Sequence, residues 1–237
     1  MRHRSRFTAL LITSLLFVPT AAGAQDLSAP ENVVRLFVSA VARGDLDGAL
    51  AVCAVDESAR GYDFTLAAKR LQAITPFSLA PSEYPLYAAI NRRLQEFNLA
   101  SRIKFFVYGF LAPELTDGKT IPVDTDEEIE RYRQALDPKR IQGLQLVDAG
   151  IPSPDIFYSP RNLENFRQIA RTNGADEAVE LVALYRLNGQ YYVGGFQLLR
   201  YGKAWKITAL NSSLAGTSTL GTAAQASVEE FNRLTGR

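Results

Sequence analysis

The stretch VELVALYRLNGQYYVGGFQLLRYGKAWKITAL, residues 179–210, decides the fold. Its apolar, β-branched and aromatic runs, Val179–Leu187, Tyr191–Arg200 and Ala204–Leu210, predict three β-strands. Asn188-Gly189 is typical of a two-residue hairpin turn, because both residue types tolerate a positive φ. Tyr201-Gly202 is expected to form the second turn. The stretch therefore predicts an antiparallel three-strand meander.

The first turn sets the register and so assigns each side chain to a face of the sheet. It places Tyr185 opposite Tyr192, and a two-residue second turn places Leu198 opposite Trp205. One face then carries Val179, Leu181, Tyr185, Tyr192, Phe196, Leu198, Trp205 and Ile207. Such a face must be covered by helices or line an apolar cavity. Its aromatic members Tyr185, Tyr192, Phe196 and Trp205 are the candidate ligand-binding residues.

The opposite face has a polar and an apolar part. Glu180, Gln197 and Lys206 form a row that fits a solvated surface. The apolar part consists of Val182, Leu184, Val193, Leu199 and Leu210. Exposed apolar patches of this extent tend to mark interfaces. The sequence leaves two alternatives open, a homodimer through this face or coverage within one chain by residues 111–160 or a C-terminal helix.

Gly194-Gly195 interrupts the second strand. Glycine inside a strand marks either a bulge or a close approach of another backbone. A bulge would curve the sheet and open a cavity on its aromatic face.

Helices are predicted before the meander. Val34, Phe37, Val38 and Val41 recur at the spacing of one apolar helix face, and Gly44 ends that helix.

The next helices show the same kind of pattern. Cys53 is expected to point into the core as a small apolar side chain. Further along, Tyr87, Ile90, Leu94 and Phe97 recur at helical spacing and are predicted to face inward. The aromatic and β-branched run from Ile103 to Phe110 is predicted to be a strand.

Residues 111–160 contain six of the eleven prolines and are interpreted as a lid-like insertion. Within it we expect a helix near residues 126–136, which Thr125 and Glu128 would cap, and a strand near residues 144–148. A further helix should start at Pro160. Residues 212–226 are expected to be a flexible connector before a C-terminal helix. The fold class predicted is α+β, with N-terminal helices packed on a curved, mostly antiparallel, cone-like sheet.

Residues 1–24 are predicted to be a cleavable signal peptide. Three arginines precede an apolar run from Phe7 to Val18, and Ala22-Gly23-Ala24 supplies a small-x-small cleavage site. The run is too short to span a bilayer. The remaining chain, residues 25–237, is expected to be a single exported domain, periplasmic or secreted, with no integral membrane segment.

Composition excludes several classes of function. Three of the 26 basic residues and none of the 25 acidic ones lie in residues 1–24, so the rest of the chain has a small acidic excess. Nucleic-acid binding normally requires a clear basic excess. His3 is the only histidine, which excludes a Ser-His-Asp triad or a histidine-ligated metal from residues 25–237. The sequence therefore predicts no metal site and no cofactor.

The order of these elements resembles the nuclear transport factor 2-like superfamily, which includes ketosteroid isomerases and polyketide cyclases. The resemblance rests on the opening phrase from Val33 to Leu50, with Arg43-Gly44-Asp45-Leu46-Asp47 at its centre, and on the terminal meander with Lys203-Ala204-Trp205-Lys206-Ile207. It implies a pocket between the helices and the concave sheet face, and dimerisation through the outer face. The proline-rich segment has no counterpart in that superfamily, and no catalytic residue can be carried over.

Two functions follow as hypotheses. The first is a non-enzymatic exported domain that binds an apolar small molecule or a protein partner in a pocket on the aromatic face. The alternative is a small proton-transfer enzyme, in which a carboxylate such as Asp148 is the base and Tyr185 and Tyr192 stabilise an oxyanion.

Overall fold

The computed structural model describes residues 25–118 and 120–237. The predicted signal peptide lies outside these residues. The α-helices are α1 Pro30–Ala42, α2 Leu46–Ala51, α3 Val55–Gly61, α4 Phe64–Leu71, α5 Pro85–Leu111, α6 Asp126–Ala135, α7 Pro154–Phe157, α8 Pro160–Thr172 and α9 Val228–Thr235. The strands are β1 Gln145–Gly150, β2 Glu177–Leu187, β3 Gln190–Tyr201, β4 Ala204–Ala209 and β5 Ala224–Gln225. Short 3₁₀ helices lie at Pro113–Thr116 and Pro138–Ile141.

The strands form one curved antiparallel sheet in the order β1-β2-β3-β4, and β5 pairs with β3 beyond the end of β4. The predicted α+β class is confirmed. The first hairpin has the predicted register, with Tyr185 opposite Tyr192. The second turn was predicted one residue too early, because Gly202 and Lys203 form it and Tyr201 pairs with Ala204. Trp205 therefore lies opposite Arg200 rather than Leu198, although the shift leaves its face unchanged.

The inner face of the sheet carries the main core. Phe37 of α1 and Phe106 of α5 pack on Phe196 and Tyr185, and their rings meet edge to face at 5.4–5.6 Å between centroids. The predicted face of α1 is confirmed, since Val34, Phe37, Val38 and Val41 are buried. Cys53 is also buried, as predicted.

The free edge of β4 is covered by the N-terminal part of the chain. The amide of Ile207 donates to the carbonyl of Val52, and the amide of Ala54 donates to the carbonyl of Ile207. The amide of Trp205 donates to the carbonyl of Leu27 at 2.8 Å. These bonds pair an edge that would otherwise expose unmatched backbone groups.

The predicted strand Ile103–Phe110 is wrong, because these residues form the second half of helix α5. Leu99, Ile103, Phe106 and Phe110 are spaced to share one helix face, and all four are buried. A short apolar run in a buried helix cannot be told from a strand by its composition.

The predicted orientation of the first half of α5 is also wrong. Tyr87, Ile90, Leu94 and Phe97 were expected to face inward, but they are between 42% and 70% exposed. Asn91 and Leu99 face the domain instead. The Asn91 amide group donates to and accepts from the backbone of Ala80, which fixes this rotation of the helix.

The outer face of the sheet is covered within the chain. Val182, Leu184 and Val193 are buried against Phe231 of α9, and the remaining predicted patch residues, Leu199 and Leu210, are buried as well. The structure therefore favours the alternative of coverage by the C-terminal helix, and this patch is not available for a homodimer.

The polar row on this face was predicted to be solvated, but two of its members, Glu180 and Lys206, are largely buried. Glu180 is 3% exposed and accepts hydrogen bonds from the Ser212 hydroxyl and the Leu214 amide. The ammonium of Lys206 donates to the carbonyl of Ala51, and its side chain is 15% exposed. Alternation along a strand assigns a residue to a face, but distant segments decide whether that face meets water.

Gly194-Gly195 creates a close approach rather than a bulge. The register of β2 and β3 runs through both glycines without a shift. A Cβ at Gly194 would lie 3.2 Å from the hydroxyl oxygen of Tyr185. A Cβ at Gly195 would overlap the backbone nitrogen of Ser212 and the hydroxyl of Thr217.

Residues 111–160 contain the predicted helix and strand. Thr125 caps α6 by accepting from the amide of Glu128, and the Glu128 carboxylate accepts from the amide of Asp124. The strand is β1, which pairs with β2 and so belongs to the main sheet. Whether the rest of the segment closes over a site as a lid stays a prediction.

Candidate functional site

A cavity of about 360 Å³ opens between helices α7 and α8 and the end of the sheet where β2 begins. Phe157, Phe166, Val179 and Trp205 form its buried walls, each less than 10% exposed. Tyr158 lies at the mouth and is 59% exposed. Cavities of about 300–1,000 Å³ with apolar walls are typical of small-molecule sites.

Local sequence explains how α7 and α8 present these rings. Pro154 and Pro160 stand in the first turns of α7 and α8, where their missing amide hydrogens cost no helical bond. Ser159 caps α8 by accepting from the amide of Asn162. Phe157 and Phe166 then meet with ring centroids 4.9 Å apart, so the two helices form one aromatic wall.

Trp205 forms the facing wall and is held from two sides. Its backbone amide donates to Leu27, and the Arg200 guanidinium lies 5.9 Å from the centre of its ring. Arg200 in turn pairs with the Glu177 carboxylate at 3.0 Å. The tryptophan therefore sits between the core and an ordered charged group.

The rim of the cavity is polar. Asp176, Glu177 and Arg167 line it, and the Asp176 carboxylate accepts a 2.7 Å hydrogen bond from the amide of Gly202. Arg167 pairs with Glu164 at 3.0 Å, and its hydrogen bond lowers the pKa of that carboxyl. An apolar interior with a few charged groups at the mouth suits a ligand that has one polar end.

The structure does not bring the four predicted site residues together. Trp205 lines the cavity. Phe196 is fully buried against Phe37 in the solid core. Tyr192 is half-buried and packs on Phe110 at 4.9 Å between ring centroids. Tyr185 lies among Phe106, Phe110 and Tyr192 and is fully buried.

The Tyr185 hydroxyl has no hydrogen-bond partner among the described residues. Burial raises its pKa well above the ordinary value of a tyrosine. Asp148, the suggested base, pairs with Leu184 on the outer face of the sheet and forms an ion pair with Arg237. The phenol and the carboxylate therefore lie on opposite faces and cannot act on one substrate atom.

Sequence reasoning missed Phe157 and Tyr158. The apolar run Ile156-Phe157-Tyr158 between two prolines indicated them, but this run was interpreted only as part of the lid-like segment. Nothing local shows that this run meets Trp205, which is almost fifty residues away in the chain.

Two further observations concern metal binding and membrane-spanning helices. Among residues 25–118 and 120–237, no group of three or more His, Cys, Asp or Glu side chains is placed to hold a metal ion. Within the same ranges no helix combines the length and the apolar character needed to cross a bilayer.

Comparison with known proteins shows the fold. A cystatin-like protein from Ruminococcus gnavus ATCC 29149 has a similar solved structure, with a TM-score of 0.54 and 20% sequence identity. The match covers 100% of this chain and 51% of that one, so the chain spans about half the length of that protein. No protein-family model and no curated protein sequence matches the chain.

Proposed function

We propose that the protein is an exported binding domain that takes an apolar small molecule, or the apolar side chain of a protein partner, into the cavity beside Trp205. The observation that carries the proposal is the aromatic cavity itself, whose buried walls come from both sides, α7–α8 and the inner sheet face. Export is part of the proposal, and the signal-like residues 1–24 support it.

The shape and lining of the cavity limit the ligand. A volume of about 360 Å³ accommodates one or two rings or a short alkyl chain. Aromatic walls favour a ring packed edge to face or offset. Arg167 at the mouth is already paired with Glu164, and Asp176 and Glu177 lie on the same rim, so the mouth would favour a hydrogen-bonding group at the outer end of the ligand.

We also propose membership of the nuclear transport factor 2-like superfamily. The α+β architecture and the structural likeness to a cystatin-like protein support it. The cavity lies at one end of the inner sheet face, whereas the centre of that face is filled by Phe37, Phe106, Tyr185 and Phe196.

Binding is tested with the chain that starts at Gln25. Its melting temperature is measured with a panel of aromatic compounds and medium-chain fatty acids, and we expect members of that panel to raise it, because a ligand that binds the folded state stabilises it. The variant Leu163→Phe adds a ring to the lining of the cavity and should weaken binding at least 10-fold. Leu46→Phe is the matched control, because Leu46 is 47% exposed on α2 and does not line the cavity.

A panel that leaves the melting temperature unchanged would contradict small-molecule binding. Equal binding by both variants would place the ligand elsewhere on the protein. The proton-transfer alternative is not proposed, because the structure separates Asp148 from Tyr185.

A further inference from the structure

The first half of α5 exposes a continuous apolar surface. We define the α5 face as Tyr84, Leu86, Tyr87, Ile90, Leu94 and Phe97, which are between 42% and 70% exposed. The rings of Tyr84 and Tyr87 touch, with centroids 6.1 Å apart, so the surface extends past the start of the helix. One side of this helix packs against the rest of the domain, and the other side faces solvent.

The area of this face is at the upper end of the range for the largest patch on a monomer. Large side chains present roughly 150–250 Å² when fully accessible, so these exposures correspond to about 600 Å² of mostly apolar surface. The largest patch on a typical monomer is about 300–600 Å². A standard interface buries about 800 Å² on each partner, a little over half of it non-polar. The α5 face is therefore large enough for a stable dimer.

Its spacing is that of a helix-pairing surface. Tyr87, Ile90, Leu94 and Phe97 are separated by three, four and three residues, the alternation by which two helices interlock side chains. Asn91 and Leu99 are buried in the domain itself, so this alternating stripe points away from it.

We propose that the α5 face binds the α5 face of a second copy of this chain in an antiparallel helix pair. A two-fold axis between Ile90 and Leu94 places Ile90 opposite Leu94 of the partner subunit. The same register places Tyr87 opposite Phe97 of the partner subunit. Each apolar side chain of the stripe then has an apolar partner.

The charges at the two ends support this direction. In the antiparallel register Glu83 lies within one helical turn of Lys104 of the partner subunit, and the pair occurs twice. A parallel arrangement would instead set Glu83 beside the partner's Glu83, which is unfavourable. Arg93, at the edge of the face, is already paired with Glu96 at 3.0 Å and adds no uncompensated charge.

The oligomeric state of the chain that starts at Gln25 tests the proposal. Sedimentation equilibrium should give twice the chain mass, and Ile90→Glu should weaken association at least 10-fold while its circular dichroism spectrum stays that of the folded protein, because the side chain is exposed. Ile129→Glu is the matched control, since Ile129 is 52% exposed on α6, and it should stay dimeric. A monomeric native protein, or a dimeric Ile90→Glu variant, would overturn the proposal.

Cross-linking tests the direction. Cys53 is buried, so a cysteine placed by Tyr87→Cys or Phe97→Cys, far from the two-fold axis, is the reactive thiol. A short bis-maleimide should link the two variants to each other when they are mixed, and much less to themselves. Efficient cross-links between two copies of the same variant would exclude the antiparallel pair. A monomer that sediments with phosphatidylcholine vesicles, and loses this in Ile90→Glu, would assign the face to a lipid surface and overturn the second copy as its occupant.

Discussion

The carboxylate of Glu180 accepts a 2.7 Å hydrogen bond from the hydroxyl of Ser212, and both residues are buried between the outer sheet face and the loop of residues 211–221. The amide of Leu214 donates to the same carboxylate oxygen at 3.0 Å. A buried carboxylate is costly unless donors surround it. The loop supplies those donors, so Ser212 and Leu214 hold this part of the predicted connector against the sheet.

Ser212→Ala should lower the free energy of unfolding by about 1.5–3 kcal/mol, since it removes a hydrogen bond to a charged group and leaves the carboxylate under-satisfied. Chemical denaturation measures the change. Ser213→Ala is the control, because Ser213 is exposed and its loss should cost less than about 0.5 kcal/mol. Equal effects would mean that the Glu180 contact contributes nothing.

Gly195→Ala should be more damaging than Gly194→Ala. A Cβ at Gly195 would overlap backbone and side-chain atoms of the 211–221 loop, whereas one at Gly194 would press on the Tyr185 ring at 3.2 Å. Overpacking of this kind costs about 1–3 kcal/mol, and we expect Gly195→Ala at the upper end. Thermal unfolding of the two variants decides the order, and a milder Gly195→Ala would show that the loop can move away.

Trp205→Ala should lower the free energy of unfolding by about 3–5 kcal/mol, because Trp205 is 8% exposed and packs on the core. Lys206 is unsuitable as an exposed control, since it reaches the carbonyl of Ala51. Lys203→Ala, in the exposed turn, should change stability by less than about 0.5 kcal/mol. Urea denaturation of both variants compares the two positions, and a Trp205→Ala loss as small as that of Lys203→Ala would mean that the tryptophan is not packed.

Stability should fall as the pH rises above about 9. Burial raises the pKa of the Cys53 thiol to about 12, while an unfolded cysteine ionises near pH 8.5–9. Above that pH the folded state holds more protons than the unfolded state, so each pH unit removes up to about 1.4 kcal/mol until the folded thiol ionises.

Denaturation between pH 8 and 10 in native protein and in Cys53→Ala measures this slope. The variant should have a lower baseline but a flatter slope. Tyr201, whose pKa burial raises to about 12, adds a similar loss only above about pH 10. Identical slopes in the two proteins would show that Cys53 does not carry the effect.

The parts of the fold that local rules determine were predictable. Asn188-Gly189 set the register of the first hairpin, because the positive φ of both residues admits few alternatives. The second turn was predicted one residue too early, but the resulting shift in pairing kept Trp205 on the predicted inner face. The apolar face of α1 follows from the helical spacing of its residues. Asp45 and Asp63 cap α2 and α4 by accepting from the amides of Gly48 and Leu66, which is also short-range chemistry.

The parts that depend on distant contacts were not predictable. Residues 103–110 have strand-like composition, yet Leu99 and Phe110 continue one buried helix face. Glu180 looked solvated because nothing local shows that Ser212 covers it. Phe157 and Trp205 both line the cavity, and only the assembled sheet and α8 bring these two rings together.

The central claim is that a ligand occupies the cavity beside Trp205, and fluorescence tests it directly because Trp205 is the single tryptophan of the chain. A compound that raises the melting temperature is compared with its brominated analogue, and the tryptophan emission is recorded during titration. We expect saturable quenching by the brominated analogue, with a midpoint at least 10-fold weaker in Leu163→Phe and unchanged in Leu46→Phe. Binding without any quenching of Trp205 emission would show that the ligand does not occupy this cavity.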